Sequence, residues 1–347
     1  MRVAYVCADR GVPVFGRKGC SVHVQAILRA FLRRGFDVDL FAARSGGDPP
    51  PDLRGLRVHR VDASGGGGQG HSCESSKGLN GALRAALDAS GERYALVYER
   101  HALWSSSAME WARNRGIPGI LEINAPLVDE QRKHRRLENP ERARLVASDV
   151  LHAATLRVAV SMQVAVQHWE YGIPPDGFLI CPNGVDPDRF PRANRRNDPG
   201  PPGQPFTIGF LGTLKPWHGL EVLLDAFCML ARRDAGYRLL VVGDGPQREA
   251  VEARLEAEGL SDRATLTGLV DPSEVPGWLA KMNVGTAPYA DAAGLYFSPL
   301  KIVEYMAAGL PVVASRAGQI EELIEDEGSG LLVEAGDASA LARALER

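Results

Sequence analysis

Apolar positions recur in two rhythms along the chain. Val3 to Cys7 is an unbroken apolar run of strand length, and in Ser21 to Arg34 the residues Val22, Ala26, Ile27, Ala30 and Phe31 return near helical spacing. Gly35 stops that helix, and Phe36 to Phe41 reads as the next strand. This is the β-loop-α-β opening of a Rossmann-like domain. Further units follow: strand Leu96 to Tyr98, helix Ser105 to Arg115, strand Gly119 to Ile123, a helical stretch around Pro140 to Ala153, and strand Leu156 to Val160. Ala63 to Ser76, with Gly65 to Gly68, has little to bury and reads as a mobile loop.

Phe190 to Pro205 is dense in Pro, Arg, Asn and Gly and carries no periodic apolar pattern. Beyond it the alternation restarts. Strands are expected at Thr207 to Leu211, Tyr237 to Val242, Ala264 to Thr267, Val284 to Ala287, Pro311 to Ala314 and Gly330 to Val333. Helices are expected at Leu220 to Ala231, Gln247 to Glu258, Pro299 to Ala308 and near Gln319 to Glu325. The pattern predicts an α/β protein with an N-terminal domain over 1–190, a linker over 191–205 and a C-terminal domain over 206–347. Two Rossmann-like domains with parallel sheets facing across a cleft would hold a ligand at their strand ends.

Charge and composition narrow the function classes. With 40 Lys and Arg against 43 Asp and Glu, the net charge of -3 argues against a nucleic acid partner. No apolar run reaches the roughly 20 residues of a membrane span, and Met1-Arg2 leads into a strand rather than a signal peptide, so a cytoplasmic protein is expected. The mixed-charge helical region Asp129 to Arg144 reads first as a solvated face; it leaves open a peripheral contact with the inner face of a membrane or a phosphate-bearing acceptor. Five scattered cysteines without a CxxC pair fit neither a disulfide framework nor a zinc site.

The richest segment is Ser298-Pro299-Leu300-Lys301-Ile302-Val303-Glu304-Tyr305-Met306-Ala307-Ala308-Gly309. Ser298 suits a helix cap and Pro299 loses nothing there, so the amides of Leu300 and Lys301 are expected to be free for an anion. Lys301 opposes the helix dipole, a cost that a bound diphosphate would relieve, and Glu304 shares its face. The plain alternative is a surface Lys301–Glu304 pair. After the first strand of the second domain, Gly212 permits close backbone approach, Lys215 can meet a phosphate and His218 can donate a hydrogen bond; a simple turn would use the same residues. Gly243-Asp244-Gly245 lines a pocket or merely turns the chain. In the first domain Gly16, Lys18 and Gly19 precede a helix without GxGxxG spacing, so no dinucleotide cofactor is expected, and the loop is read either as a plain turn or as facing a donor phosphate through Gly16 and Gly19 and an acceptor through Lys18. Arg100, His101, Glu122 and Asn124 gather at strand ends as a cleft wall, although a satisfied turn histidine is an equal reading of His101. No carboxylate or histidine stands beside Asp244 at ligand spacing, so no metal is expected.

Gly16 to Gly19, Pro182-Asn183-Gly184-Val185-Asp186 with Phe190, Gly209 to Gly219, Val241 to Pro246 and Ser298 to Val313 together resemble the retaining glycosyltransferases of family 4, which have the GT-B fold. The resemblance implies a metal-independent, cofactor-free transferase that moves a hexose or N-acetylhexosamine from a nucleotide sugar, UDP-linked by family habit, to a hydroxyl acceptor. That acceptor would be a small molecule, a glycan or a lipid-linked sugar; the oligomeric state is left open. It further implies that the helix from Pro299 receives the donor diphosphate, that Glu304 holds the ribose hydroxyls, and that Arg100, His101 and Asn124 face sugar or acceptor. Two positions depart from the family pattern. Tyr296 stands where the first glutamate of Glu-x7-Glu contacts the transferred sugar, and Thr213 and His218 replace the usual Arg and Lys of the phosphate clamp. Lys215 and Lys301 are the candidates to restore that charge. Two rival readings stay open: a GT-B-fold nucleotide-sugar epimerase, and a catalytically weak nucleotide-sugar-binding partner subunit. The chain also stops soon after strand Gly330 to Val333, so the final helix that usually crosses back onto the first domain is expected to be missing.

Overall fold

A computed structural model describes residues 1–61, 73–134, 136–190, 204–293 and 295–347; for 73–77 and 134 it describes the backbone alone. The chain divides into two compact units, Met1–Pro182 and Asn183–Arg347. The first runs β1 (Arg2–Cys7), α1 (Gly19–Arg33), β2 (Asp37–Ala42), β3 (Arg57–Arg60), α2 (Cys73–Ala89), β4 (Leu96–Arg100), α3 (Ser107–Asn114), β5 (Gly119–Ile123), α4 (Leu127–His134), α5 (Pro140–Ala153), β6 (Leu156–Ala159), α6 (Met162–Gln167) and β7 (Leu179–Ile180). The second runs β8 (Phe206–Leu211), α7 (Leu220–Arg233), β9 (Tyr237–Val242), α8 (Arg248–Ala257), β10 (Ala264–Leu266), α9 (Val275–Leu279), β11 (Val284–Ala287), α10 (Leu300–Ala307), β12 (Val312–Ser315), α11 (Ile320–Leu323), β13 (Leu331–Val333) and α12 (Ala338–Leu345).

Each unit has one all-parallel sheet. The orders are β3-β2-β1-β4-β5-β6-β7 and β10-β9-β8-β11-β12-β13. Both are the doubly wound Rossmann arrangement, in which strand order reverses between the first and fourth strands and leaves a crevice at their carboxyl ends. The apolar runs of the sequence become strands buried on both faces, as parallel sheets require. In the second unit one core packs Phe210, Leu223, Phe227, Leu239 and Leu341, and a separate one packs Leu240, Ile302, Tyr305, Val312 and Ile320. In the first unit Tyr5, Val24, Leu28 and Leu40 pack with α1.

The division falls earlier than the sequence pattern places it, because residues 183–190 are anchored in the second unit. The Asn183 amide donates to Ser298 Oγ and its side chain to the Ser298 carbonyl, both at 3.0 Å. Arg189 donates to the Pro272 carbonyl at 2.7 Å, and Phe190 is buried in the second of that unit's cores. Of the expected linker, 191–203 lies outside the described residues. Of the expected loop at 63–76, the part from 63 to 72 lies outside them too, whereas Cys73 onward is helix α2. The charged stretch 129–144 falls on parts of α4 and α5: Asn139, at φ 49°, caps α5 by accepting from the Arg142 amide, and Arg135 lies outside the described residues. Among the described residues, no helix is long and apolar enough to cross a membrane.

Candidate functional site

In the second unit, β8 and β11 pair only as far as Phe210 and Thr286. Beyond that point the hydroxyl of Tyr305 stands between them, accepting from the Leu211 amide at 2.7 Å and donating to the Thr286 carbonyl at 3.2 Å. A side chain from α10 thus satisfies the backbone where the strands part, and it opens the crevice at the switch point.

Lys301 lies one helical turn before Tyr305 on α10, so its side chain enters the same crevice. It is only 7% exposed, and its Nζ has no hydrogen-bond partner. The ammonium instead sits 4.1 Å from the ring centroid of Phe210 and 5.5 Å from that of Tyr289, with Gly212 beside it. Ring faces compensate part of the lost hydration, but burial still pulls the Lys301 pKa down to about 7, against a smaller opposing effect of Glu304. Burial likewise raises Glu304 to about 7, opposed by Arg189 and Lys301. No ion pair joins Lys301 and Glu304 within 4.0 Å, which removes the surface-pair reading.

Ser298 is not the cap of α10. Pro299 occupies that position without a side-chain cap, and Ser298 Oγ accepts the Asn183 amide instead. The Leu300 and Lys301 amides accordingly receive no backbone carbonyl, as expected for the first turn.

The turn after β8 carries the other candidates. His218 is half-buried and its Nδ1 is bonded to the Thr213 carbonyl. A carbonyl only accepts, so Nδ1 holds the hydrogen and neutral His218 presents a bare Nε2. Burial, then Lys301, pull its pKa down to about 3. Neutral His218 thus spends its one hydrogen on the Thr213 carbonyl, and it gains a second donor, at Nε2, only on protonation. Its ring lies 6.1 Å from Tyr289 and 6.4 Å from Phe297 by centroids. Lys215 Nζ lies 5.6 Å over Trp217. Tyr296 is partly buried, edge-on to Phe297 at 5.9 Å.

Gly243 and Gly245 serve the fold. Gly243 has φ 138° and a Cβ there would stand 2.0 Å from the Gly212 carbonyl oxygen; at Gly245 it would stand 2.6 Å from the Leu214 nitrogen. The two turns are laced by Gly212 N–H to Val242 and Leu214 N–H to Asp244. Asp244 is a turn residue whose carboxylate accepts the Gly245 amide.

In the first unit, the register aligns Tyr5 with Tyr98, Cys7 with Arg100, and Arg100 with Glu122. These side chains share the sheet face toward α1. There His23, which the sequence pattern presents only as one polar residue within an amphipathic helix, meets Glu122 through Nε2 and Oε1. Both are buried, at 7% and 3% exposure. Burial alone would raise Glu122, but His23, Arg100 and Asn124 together hold it down at about 2. β4 runs two residues beyond the expected end at Tyr98, so Arg100 is its last residue. His101 follows it, donates its amide to the Glu122 carbonyl, and has a buried Nδ1 without a partner, so it is no satisfied turn histidine. Burial, then His168 nearby, bring its pKa down to about 3.

Gly16 is crowded by Pro13 and Ser21, and its carbonyl accepts from Gln25. Lys18 is the exposed, uncapped N-cap of α1, and Gly19 is that helix's first residue. Among the described residues no group of three His, Cys, Asp or Glu could hold a metal ion.

Residues 17–189 match the family model described as Glycosyltransferase Family 4, and residues 205–347 the model described as Glycosyl transferases group 1. A D-inositol 3-phosphate glycosyltransferase from Segniliparus rotundus is 27% identical over 91% of this chain and 73% of its own length. Sucrose-phosphate synthase from Thermosynechococcus elongatus shares the fold with a TM-score of 0.75 at 22% identity, over 100% of this chain and 89% of that one. HepE from Anabaena in complex with UDP does so with a TM-score of 0.72 at 19% identity, over the same shares. Matched in both units and along nearly its whole length, the chain belongs to the GT-B-fold glycosyltransferases related to family 4, which draw on a nucleotide-sugar donor.

Proposed function

We propose that the chain is a retaining glycosyltransferase that moves a hexose or N-acetylhexosamine from a UDP-sugar to a hydroxyl acceptor, without a metal. The observation that carries this reading is Lys301: a buried ammonium with no partner, beside the open amides of Leu300 and Lys301. An unpaired buried charge is costly unless an anion completes it, and a diphosphate supplies that anion. HepE, which shares the fold, forms a complex with UDP, and this favours that base. Glu304 would hold the ribose hydroxyls, and Tyr296 would offer the transferred sugar a phenol where the family has a carboxylate.

The step that costs most is cleavage between the anomeric carbon and a diphosphate oxygen, where negative charge grows on the leaving group. Lys301, the two amides and Lys215 meet that charge. His218 adds to it once the arriving anion favours its protonated form, and Gly212 and Thr213 line the turn. The leaving phosphate takes the acceptor proton as the acceptor attacks from the same face. Gly16 and Gly19 at the start of α1 serve the donor, and Lys18, with Arg100, His101, Glu122 and Asn124, serves the sugar or acceptor. A polyol acceptor is the first choice, because the Segniliparus rotundus relative is named for an inositol phosphate. Nucleotide-sugar chemistry would place the enzyme in the cytoplasm.

Mass spectrometry of donor hydrolysis across UDP, GDP, dTDP and ADP sugars tests the reading. UDP-sugars should be consumed, and Lys301→Met should lower that rate by about a hundredfold, the scale of losing one charge-stabilising group. Hydrolysis unchanged in Lys301→Met would sink the assignment. An epimerised sugar nucleotide as product would replace transfer by epimerisation.

A further inference from the structure

Buried polar atoms that make no close hydrogen bond gather around Glu122: Tyr5 Oη in β1, Arg100 Nη1 at the end of β4, and Glu122 Oε2 and Asn124 Nδ2 at the end of β5, the last two within each other's influence. Native proteins leave few such atoms, and a cluster of them at a Rossmann switch point marks a place built for something other than folding. The cluster holds one anion, Glu122. His23 faces it from α1, Tyr5 from β1, and Tyr98 and Arg100 from β4; Asn124 follows it after β5. The carboxylate only accepts, so His23 Nε2 carries the hydrogen of their bond.

We propose that His23 is a positioning residue for the acceptor-side site. Paired with Glu122, it fixes a buried anion beneath the ends of β4 and β5, and that anion holds the Arg100 guanidinium and the Asn124 amide as donors for hydroxyl oxygens of the transferred sugar or acceptor. The inference rests on the reading above that Arg100 and Asn124 face those groups. It also selects a chemical class. Arg100 alone would suit a phosphate, but the carboxylate of its register partner Glu122 repels a second anion, so this subsite takes the uncharged, hydroxylated part of the ligand.

The chemistry of the pair explains why histidine is used. Burial works to neutralise Glu122, and the low pKa it keeps depends first on His23. A partner that cannot donate leaves the carboxylate to take up a proton, after which it no longer holds Arg100 by charge. His23→Gln retains a donor, whereas His23→Leu retains only bulk.

Two measurements on the full-length chain test this. In the first, UDP-glucose consumption, with water as the acceptor, is followed from pH 5 to pH 9. His23→Gln, which keeps the donor without the charge, should stay closer to the wild-type profile than His23→Leu does. His23→Leu should acquire a new acidic limb, losing about tenfold per pH unit below the raised Glu122 pKa and recovering above it. The double variant His23→Leu/Glu122→Gln should lack the limb. In the second, carbon-13 NMR of the Glu122 carboxylate should show it ionised down to about pH 3 in wild type, titrating somewhat higher in His23→Gln and at least two units higher in His23→Leu, a shift that desolvation without a partner readily supplies. UDP affinity by calorimetry controls for folding. A wild-type profile in His23→Leu, or an unmoved Glu122 titration, overturns the proposal. Absence of donor turnover in wild type counts against the transferase reading instead, and the carboxylate titration still decides whether His23 fixes the anion.

Discussion

At Lys301, desolvation and the aromatic rings act in opposite directions on one ammonium. The rings of Phe210 and Tyr289 favour the charge, burial disfavours it, and burial wins enough to bring the pKa from 10.5 to about 7. Between those values the unfolded chain binds more protons at this residue than the folded one. Its contribution to stability therefore rises with pH from about 7 to 10.5. Glu304 is the reverse case. Its pKa is raised from 4.5 to about 7, so the folded chain binds the extra proton and stability falls as pH climbs through that window. For ligand binding the two act together, since a rise through pH 7 removes a positive charge and adds a negative one. The dissociation constant of UDP-glucose, whose phosphates do not titrate there, should increase between pH 6 and pH 8.5 by up to about tenfold per pH unit for each linked proton. Lys301→Arg should flatten that rise, because guanidinium stays charged. Calorimetry across the range checks it; a flat wild-type curve would show that Lys301 is not the titrating contact. The sequence exposes Lys301 as a cation in the wrong helical turn, but its aromatic seat joins Phe210, Tyr289 and Lys301 from three separate segments, which no local spacing reveals.

At the scale of elements, entry to α7 depends on one glycine. Gly219 has φ 66° and caps that helix, and a Cβ on it would fall 1.5 Å from the Pro288 carbonyl oxygen. Gly35, after α1, has φ 77° with nothing within 4 Å of its Cβ position. The pair separates backbone strain from collision. Gly35→Ala should cost only about 1 to 2 kcal/mol, the left-handed penalty of an L-residue. Gly219→Ala should exceed about 3 kcal/mol and shift Pro288 to Ala290, carrying Tyr289 away from Lys301. Denaturant midpoints and UDP-glucose affinity measure both effects; equal losses would mean that the Pro288 contact is relieved cheaply. Strong strands such as Val3 to Cys7 are legible in the sequence because burial on both faces demands continuous apolar residues. α2 is not, because its first residues follow a glycine-rich run, and its apolar face is diluted by Ser, Asn and Gly. The start of α10 is legible in the right place but with the wrong cap, since the partner of Ser298 is Asn183, more than a hundred positions earlier in the chain.

Across the whole molecule, the same strand order is used twice, and each switch point carries a different electrostatic character. The second unit brings the Lys301 ammonium beside Gly212, carries Lys215 in the same turn and leaves two amides open at the start of α10, a setting for an anion. In the first unit a cation and a carboxylate alternate at the ends of β4 and β5, a setting for neutral hydroxyls. Doubly wound sheets supply the crevice in both cases, and the residues after the first and fourth strands decide what enters it. Hydrogen exchange on the intact chain should therefore separate the two roles. UDP at saturating concentration should slow exchange at Leu300 and Lys301, whose amides lack backbone acceptors in the free protein, and in the turn from Gly212 to Gly219. Peptides spanning Tyr98 to His101 and Glu122 to Asn124 should change only when a hydroxylated acceptor is added to the UDP complex. Protection by UDP of the first unit's strand ends, with none at Leu300 and Lys301, would reverse the assignment of donor and acceptor between the units.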